Sequence, residues 1–185
     1  MQMSYAQIPR RQVNLMDIKE TFRFVAPRVR DAAINTAAQL NRLGIRYALA
    51  GGLAVGAHGY IRATTDVNFL VGEEAFDRQG LLVAFKAGVP IEVDRIRIDY
   101  LAPASLGPQL EEVLDHPPMS EGLAVVPIEA LIYMKLAAKR RKDLVDVIEL
   151  VKAGADLTRV RDYLRQYAGD LVPLFEELVN EALAE

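Results

Sequence analysis

Residues 45–72, IRYALAGGLAVGAHGYIRATTDVNFLVG, decide the fold. IRYALAGG is a short, apolar, β-rich run that closes on Gly51–Gly52, the pattern of a buried strand leaving a sheet through a tight turn. LAVGAHGY opens straight off the glycines and reads as a short helix. TDVNFLVG then alternates with period two, setting Asp66, Asn68 and Leu70 on one face against Val67, Phe69 and Val71 on the other. The second face is wholly apolar and belongs in a core, while the first carries two oxygen-bearing side chains.

Upstream, apolar residues recur at helical spacing from Asp17 to about Leu43, with Pro27 dividing two helices and Gly44 as the stop signal. Downstream, residues 73–87 are expected to form a helix. IEVDRIRIDYL (91–101) reads as one long strand or a tight pair, with Arg95, Arg97 and Asp99 alternating against Ile96, Ile98 and Tyr100. The stretch from Pro103 to Pro127 is loop-rich. PIEALIYMKLAAKRRKDLVDVIELVKAG (127–154) has proline at a helix start, glycine at its end and helical periodicity between them. Helices over 156–167 and 170–184 close the chain. The expected organisation is an N-terminal arm (1–16), an α/β core (17–126) and a helical part packed on it (127–185). The fold class is α/β (α+β), a small sheet flanked by helices with a helical C-terminal part.

Composition narrows the function classes. The 185 residues suit one compact domain, with 51% hydrophobic and 25% charged residues. A formal net charge of −3 supplies no whole-molecule attraction for nucleic acid, so any polyanion site must be local. No cysteine means no disulfide, thiolate metal site or thiol nucleophile, which suits a reducing cytoplasm. No secretory leader and no run of about 18 apolar residues is evident, so a cytoplasmic protein without a membrane partner is expected.

Three features could carry chemistry. Gly51–Gly52 before a helix leaves backbone N–H groups little covered, a natural phosphate cradle; the plain alternative is a strand-to-helix turn that needs positive φ. Asp66 and Asn68 point the same way from one strand, and Asp99 could reach the same spot from a neighbouring strand. Converging hard oxygens suit Mg²⁺; alternatively Asp66 caps a turn and Asp99 pairs with Arg97 or a lysine. Ile128, Leu131 and Ile132 define an inward helix face whose next position is Lys135, and the stripe extends through Lys139 to Asp143 and Asp146. Its alternative is a solvated face with a Lys139–Asp143 pair. Arg62 could neutralise phosphate, whereas His58 reads as a helix-end residue that packs or caps and His116 as a loop residue. The run Lys139, Arg140, Arg141, Lys142, with Arg10, Arg11, Arg28 and Arg30, lacks the aromatic interleaving that base stacking needs.

Together, YALAGGLAVGAHGYIRATTDVNFLVG, RIRIDYLAP and VPIEALIYMKLAAKRRKDLVDVIELV resemble the nucleotidyltransferase fold of the DNA polymerase beta superfamily. The likeness spans roughly residues 30–152 and is greatest to small bacterial proteins that include the abortive-infection toxin nucleotidyltransferases. It implies a mixed sheet of the nucleotidyltransferase type, with Gly51, Gly52, Arg62 and Lys135 on a nucleoside triphosphate. Asp66, Asn68 and Asp99 would be the catalytic set and the ligands of Mg²⁺ (or Mn²⁺), Asp99 polarising the incoming hydroxyl. Arg140, Asp143 and Asp146 would brace the helix or line the site. Many members carry Asp where Asn68 stands; an amide oxygen still coordinates Mg²⁺, but one negative charge is lost and both metal affinity and transfer should weaken. The resemblance implies transfer of a nucleoside monophosphate to a hydroxyl on RNA or protein. Its alternative is a catalytically degenerate nucleotide-binding or toxin–antitoxin-type protein with a neighbour-encoded partner.

Overall fold

In a computed structural model the described residues are 16–184; all of the expected arm except Met16, with Arg10 and Arg11, lies outside them. Helix α1 (Ile18–Phe24) starts at Asp17, whose carboxylate accepts from the Lys19 amide at 2.9 Å. It stops at Val25 because Ala26, preceding Pro27, is held extended, and Pro27 then opens α2 (Pro27–Arg42) at a position where its missing N–H costs nothing. Gly44 at φ 67 turns the chain into β1 (Tyr47–Ala50), as the sequence pattern requires.

A four-stranded mixed sheet follows, in the order β1, β2 (Val67–Val71), β6 (Ile96–Leu101), β5 (Glu92–Val93). β1 and β2 are antiparallel, β2 and β6 parallel, β5 and β6 antiparallel. All of β1 is buried, and β2 is buried except at Asn68, so both strands are covered on both faces, although β1 ends the sheet. Tyr47, Phe69 and Tyr100 pack across three strands, edge-on at 5.5 Å and stacked at 6.3 Å. Short helix α3 (Gly51–Ala57) links β1 to the segment before β2.

Residues 73–87 do not form the expected helix. A single 3₁₀ turn at Glu73–Ala75 gives way to a hairpin of β3 (Phe76–Gln79) and β4 (Leu82–Phe85). The cause is local: Gly80 sits at φ 62 in a two-residue connection, and Val83 and Phe85 favour extended backbone. Residues 91–101 take the tight-pair option, with Asp94 and Arg95 both at positive φ between β5 and β6. The loop-rich stretch holds only short elements: α4 (Pro103–Leu106), α5 (Leu110–Asp115), and the pair β7 (Met119–Ser120) and β8 (Leu123–Ala124).

The C-terminal part is helical: α6 (Ile128–Ala138), α7 (Arg141–Lys152), α8 (Leu157–Tyr167) and α9 (Val172–Ala184). The chain is thus α+β, with a small mixed sheet flanked by helices and a helical C-terminal part. The expected stripe over 127–152 is broken, because Lys139 adopts a left-handed conformation at φ 54 and ends α6. Folding α7 back at this point leaves Lys139 exposed and carries Asp143 and Asp146 to Lys135 by tertiary packing. Among the described residues no helix is long and apolar enough to cross a membrane.

Candidate functional site

A cleft of about 350 Å³ lies where the sheet meets α6 and the start of α7, lined by Gly51, Asn68, Arg97, Asp99, Tyr100, Lys135, Arg140 and Asp143 together with apolar residues such as Leu131 and Met134. The register of two strands builds its polar floor. Asn68 and Asp99 are direct partners in the parallel β2–β6 ladder, so both side chains leave the same face from backbones about 4.8 Å apart. Asn68 is the one residue of β2 left partly exposed.

The double glycine plays two packing roles. Gly51 takes φ 59, and a Cβ there would fall 2.7–2.9 Å from Asn68 side-chain atoms, so the amide side chain lies directly over it. Gly52 is buried, and a Cβ on it would meet Thr64 at 2.9 Å. Gly51 reaches the cleft; Gly52 is not among its lining residues. Asp66 stands just ahead of β2, where its carboxylate accepts from the Thr64 hydroxyl at 3.0 Å, and it is not a lining residue either. Asp66 does share an electrostatic neighbour with Asp99. The Arg97 guanidinium donates to Asp99 Oδ2 at 2.7 Å, and its pKa is raised, first by that bond and also by the charge of Asp66. The Asp99–Arg97 pairing left open on the sequence is therefore formed.

Behind the cleft runs a chain of ion pairs. Arg62 grips Asp146 through both carboxylate oxygens at 2.6 and 2.8 Å. Lys135 Nζ lies 2.7 Å from Asp146 and 2.8 Å from Asp143, and Arg140 Nε donates to Asp143 at 2.6 Å. Lys135, Asp143 and Asp146 are all buried. Burial pushes the Asp143 carboxyl up, but bonds from Arg140 and Lys135 outweigh it and leave the pKa below its ordinary value. The bond to Asp146 raises the Arg62 pKa despite burial. Three cations thus face two carboxylates. Arg62 and Lys135 have fixed partners, and the Lys139–Asp143 pair considered on the sequence gives way to Lys135 and Arg140.

The remaining basic residues do not gather on the cleft. Arg28, Lys139, Arg141 and Lys142 are exposed, and Arg30 pairs with Asp31. His58 ends α3 with its ring nitrogen 2.8 Å from the Val126 carbonyl, the packing and capping role. A larger groove of about 620 Å³ runs between α1, α2 and the β7–β8 turn, walled by Phe22, Ile34, Ala37 and Leu123 and holding none of the β2 or β6 polar groups. Arg97 is the cleft residue that sequence reasoning weighed only as a partner for Asp99, although its place on the Asp99 face was legible from alternation.

No family model matches the chain, and no curated protein matches it. Among solved structures, an antigenic nucleotidyltransferase-like protein from Paracoccidioides brasiliensis is similar over 84% of this chain and 93% of that chain, at 13% identity and a TM-score of 0.45. A likeness that distant assigns neither family nor activity to this chain.

Proposed function

We propose that the cleft binds a nucleoside triphosphate and transfers its nucleoside monophosphate to a hydroxyl acceptor on RNA or protein. The observation that supports this reading is the meeting of Gly51, Asn68, Asp99, Lys135 and Arg140 around one cavity, from four separate stretches of sequence. Arg140, held on Asp143 through Nε but with its side chain 63% exposed, can present its outer guanidinium N–H groups to phosphate while Lys135 adds positive potential from below. Asp99 takes the proton of the acceptor hydroxyl as its oxygen bonds to the α-phosphorus; the bridging bond to the β-phosphate breaks and pyrophosphate leaves.

Asn68 and Asp99 offer hard oxygens to a divalent cation from the cleft floor, with the Asp66 carboxylate outside the lining, and Arg97, the competitor for Asp99, is an exposed side chain that can swing away. Bound there, Mg²⁺ (or Mn²⁺) would supply charge neutralisation and Lewis acidity to the phosphates. Asn68 in place of a carboxylate leaves this set one charge short. Among the described residues, no three His, Cys, Asp or Glu side chains group as a metal site.

Incubation with labelled nucleoside triphosphates and RNA or protein acceptors tests the reading. Label should pass to an acceptor in Mg²⁺ or Mn²⁺ and be lost in Asp99→Asn. Asn68→Asp should raise Mg²⁺ affinity about tenfold by calorimetry. No transfer with any acceptor or metal, and no nucleotide binding, would sink it.

One observation favours a second reading. Arg97 already neutralises Asp99, the arrangement of a site that binds nucleotide without turning it over and serves as a sensor or as the partner of a neighbour-encoded protein. Nucleotide binding that is independent of metal, with no transfer, would select it.

A further inference from the structure

The β3–β4 hairpin stands apart from the main sheet: among the described residues each of its strands pairs only with the other, so the outer edge of β4 has no strand partner there. Its base is anchored where Phe85 stacks on Phe76 at 5.3 Å and meets Tyr100 at 5.2 Å. Beyond that anchor the sequence GLLVAF carries neither charge nor proline. Leu81 is 102% exposed, Leu82 75%, Val83 57% and Phe85 40%. Edge strands exposed to water are ordinarily blunted by a charge, a proline or a bulge. β4 has none of these, while its partner β3 carries Asp77 and Arg78.

From this edge we infer that the chain is a homodimer, joined by antiparallel pairing of β4 with β4 of a second copy across a two-fold axis. The exposed row occupies both faces of the strand, because Leu82 and Ala84 alternate with Val83 and Phe85. A partner docking on one face would leave the other wet, whereas edge pairing gives both faces cross-strand neighbours. Antiparallel self-pairing satisfies the unpaired backbone groups of both copies at once and closes without leaving a further apolar edge. Leu81, Leu82, Val83 and Phe85 expose on the order of 500 Å² per copy, of which edge pairing covers the part facing the partner strand, so the interface is a small one that draws on its ladder hydrogen bonds as well as on apolar contact. The polar neighbours Asp77, Arg78 and Gln79 would form its rim.

Sedimentation analysis of the full chain at micromolar concentration should give twice the 20.5 kDa of one chain. Val83→Lys should weaken dimerisation at least about tenfold by setting like charges against each other at the edge, with an unchanged circular dichroism spectrum. Because the chain has no cysteine, Val83→Cys and Ala84→Cys each introduce a lone thiol, and at least one should form an intermolecular disulfide. Glu177→Cys on α9 serves as the control that should not. A monomer across the micromolar range would overturn the inference, as would a dimer that Val83→Lys leaves intact. Open-ended assemblies, or monomers that associate only with a different protein, would overturn it too. Should Val83→Lys not fold, the cysteine pair decides alone: no cross-link at either position refutes edge pairing.

Discussion

Two assemblies of shared ion pairs in this chain are opposite in sign and in burial. Beside the cleft, Arg62, Lys135 and Arg140 share Asp143 and Asp146, whose side chains are 0% and 2% exposed. At the other end of the sheet, Arg46 alone serves Glu74, Glu111 and Asp115, all partly open to water. The first leaves one positive charge over; the second leaves two negative. The lesson is that the same chemistry does different work. Desolvated carboxylates commit their cations and fix α6 against α7, whereas the water-screened hub ties the start of β1 to the 3₁₀ turn and α5 at little net gain.

Removing Asp146 should break that contrast most severely. Among the described residues, Asp146→Ala strips Arg62 of its ion-pair partner and Lys135 of one of two, and is expected to destabilise the fold by about 3–5 kcal/mol in urea unfolding. A loss below about 1 kcal/mol would mean that water reaches the network and that burial does not separate the assemblies. Arg46→Ala is expected to cost about 1 kcal/mol or less, shrinking further in high salt; a larger loss would place the hub with the buried class.

Acid titration sharpens the comparison with the smallest effect. Burial holds the His58 imidazole below its ordinary 6.5, opposed by its bond to Val126. As pH falls the unfolded chain therefore takes up a proton first, so stability is full above about pH 6.5 and declines below it. His58→Gln should flatten this decline in thermal unfolding followed from pH 7 to 5. Asp143 and Glu74, both depressed below their ordinary values, contribute stability that is present above about pH 4 and is lost only as the pH falls further. A decline that begins only near pH 4 would mean that His58 takes up its proton as readily in the fold as in the unfolded chain.

Much of the sheet was legible in residues 45–72, because burial on both faces writes a continuous apolar run for β1 and alternation writes β2. The Pro27 break and the Asp17 start of α1 were legible for the same reason: capping and the restriction before proline are local. The hairpin was not. Its apolar residues over 81–85 occur in an unbroken run that helix and strand share, and Gly80 at positive φ decided between them. The break at Lys139 was equally hidden, since no glycine or proline marks it and a lysine bears the left-handed turn.

By itself, then, the amino-acid order determined β1 and β2, the glycine turn and the oxygen-bearing face of β2, because each follows from the spacing of neighbours along the chain. Only the tertiary structure decided that Asn68 lies beside Asp99 and that Lys135 is shared by Asp143 and Asp146. Those contacts join residues from separate elements, and the register of parallel strands and the refolding of α7 onto α6 are set by packing the whole core.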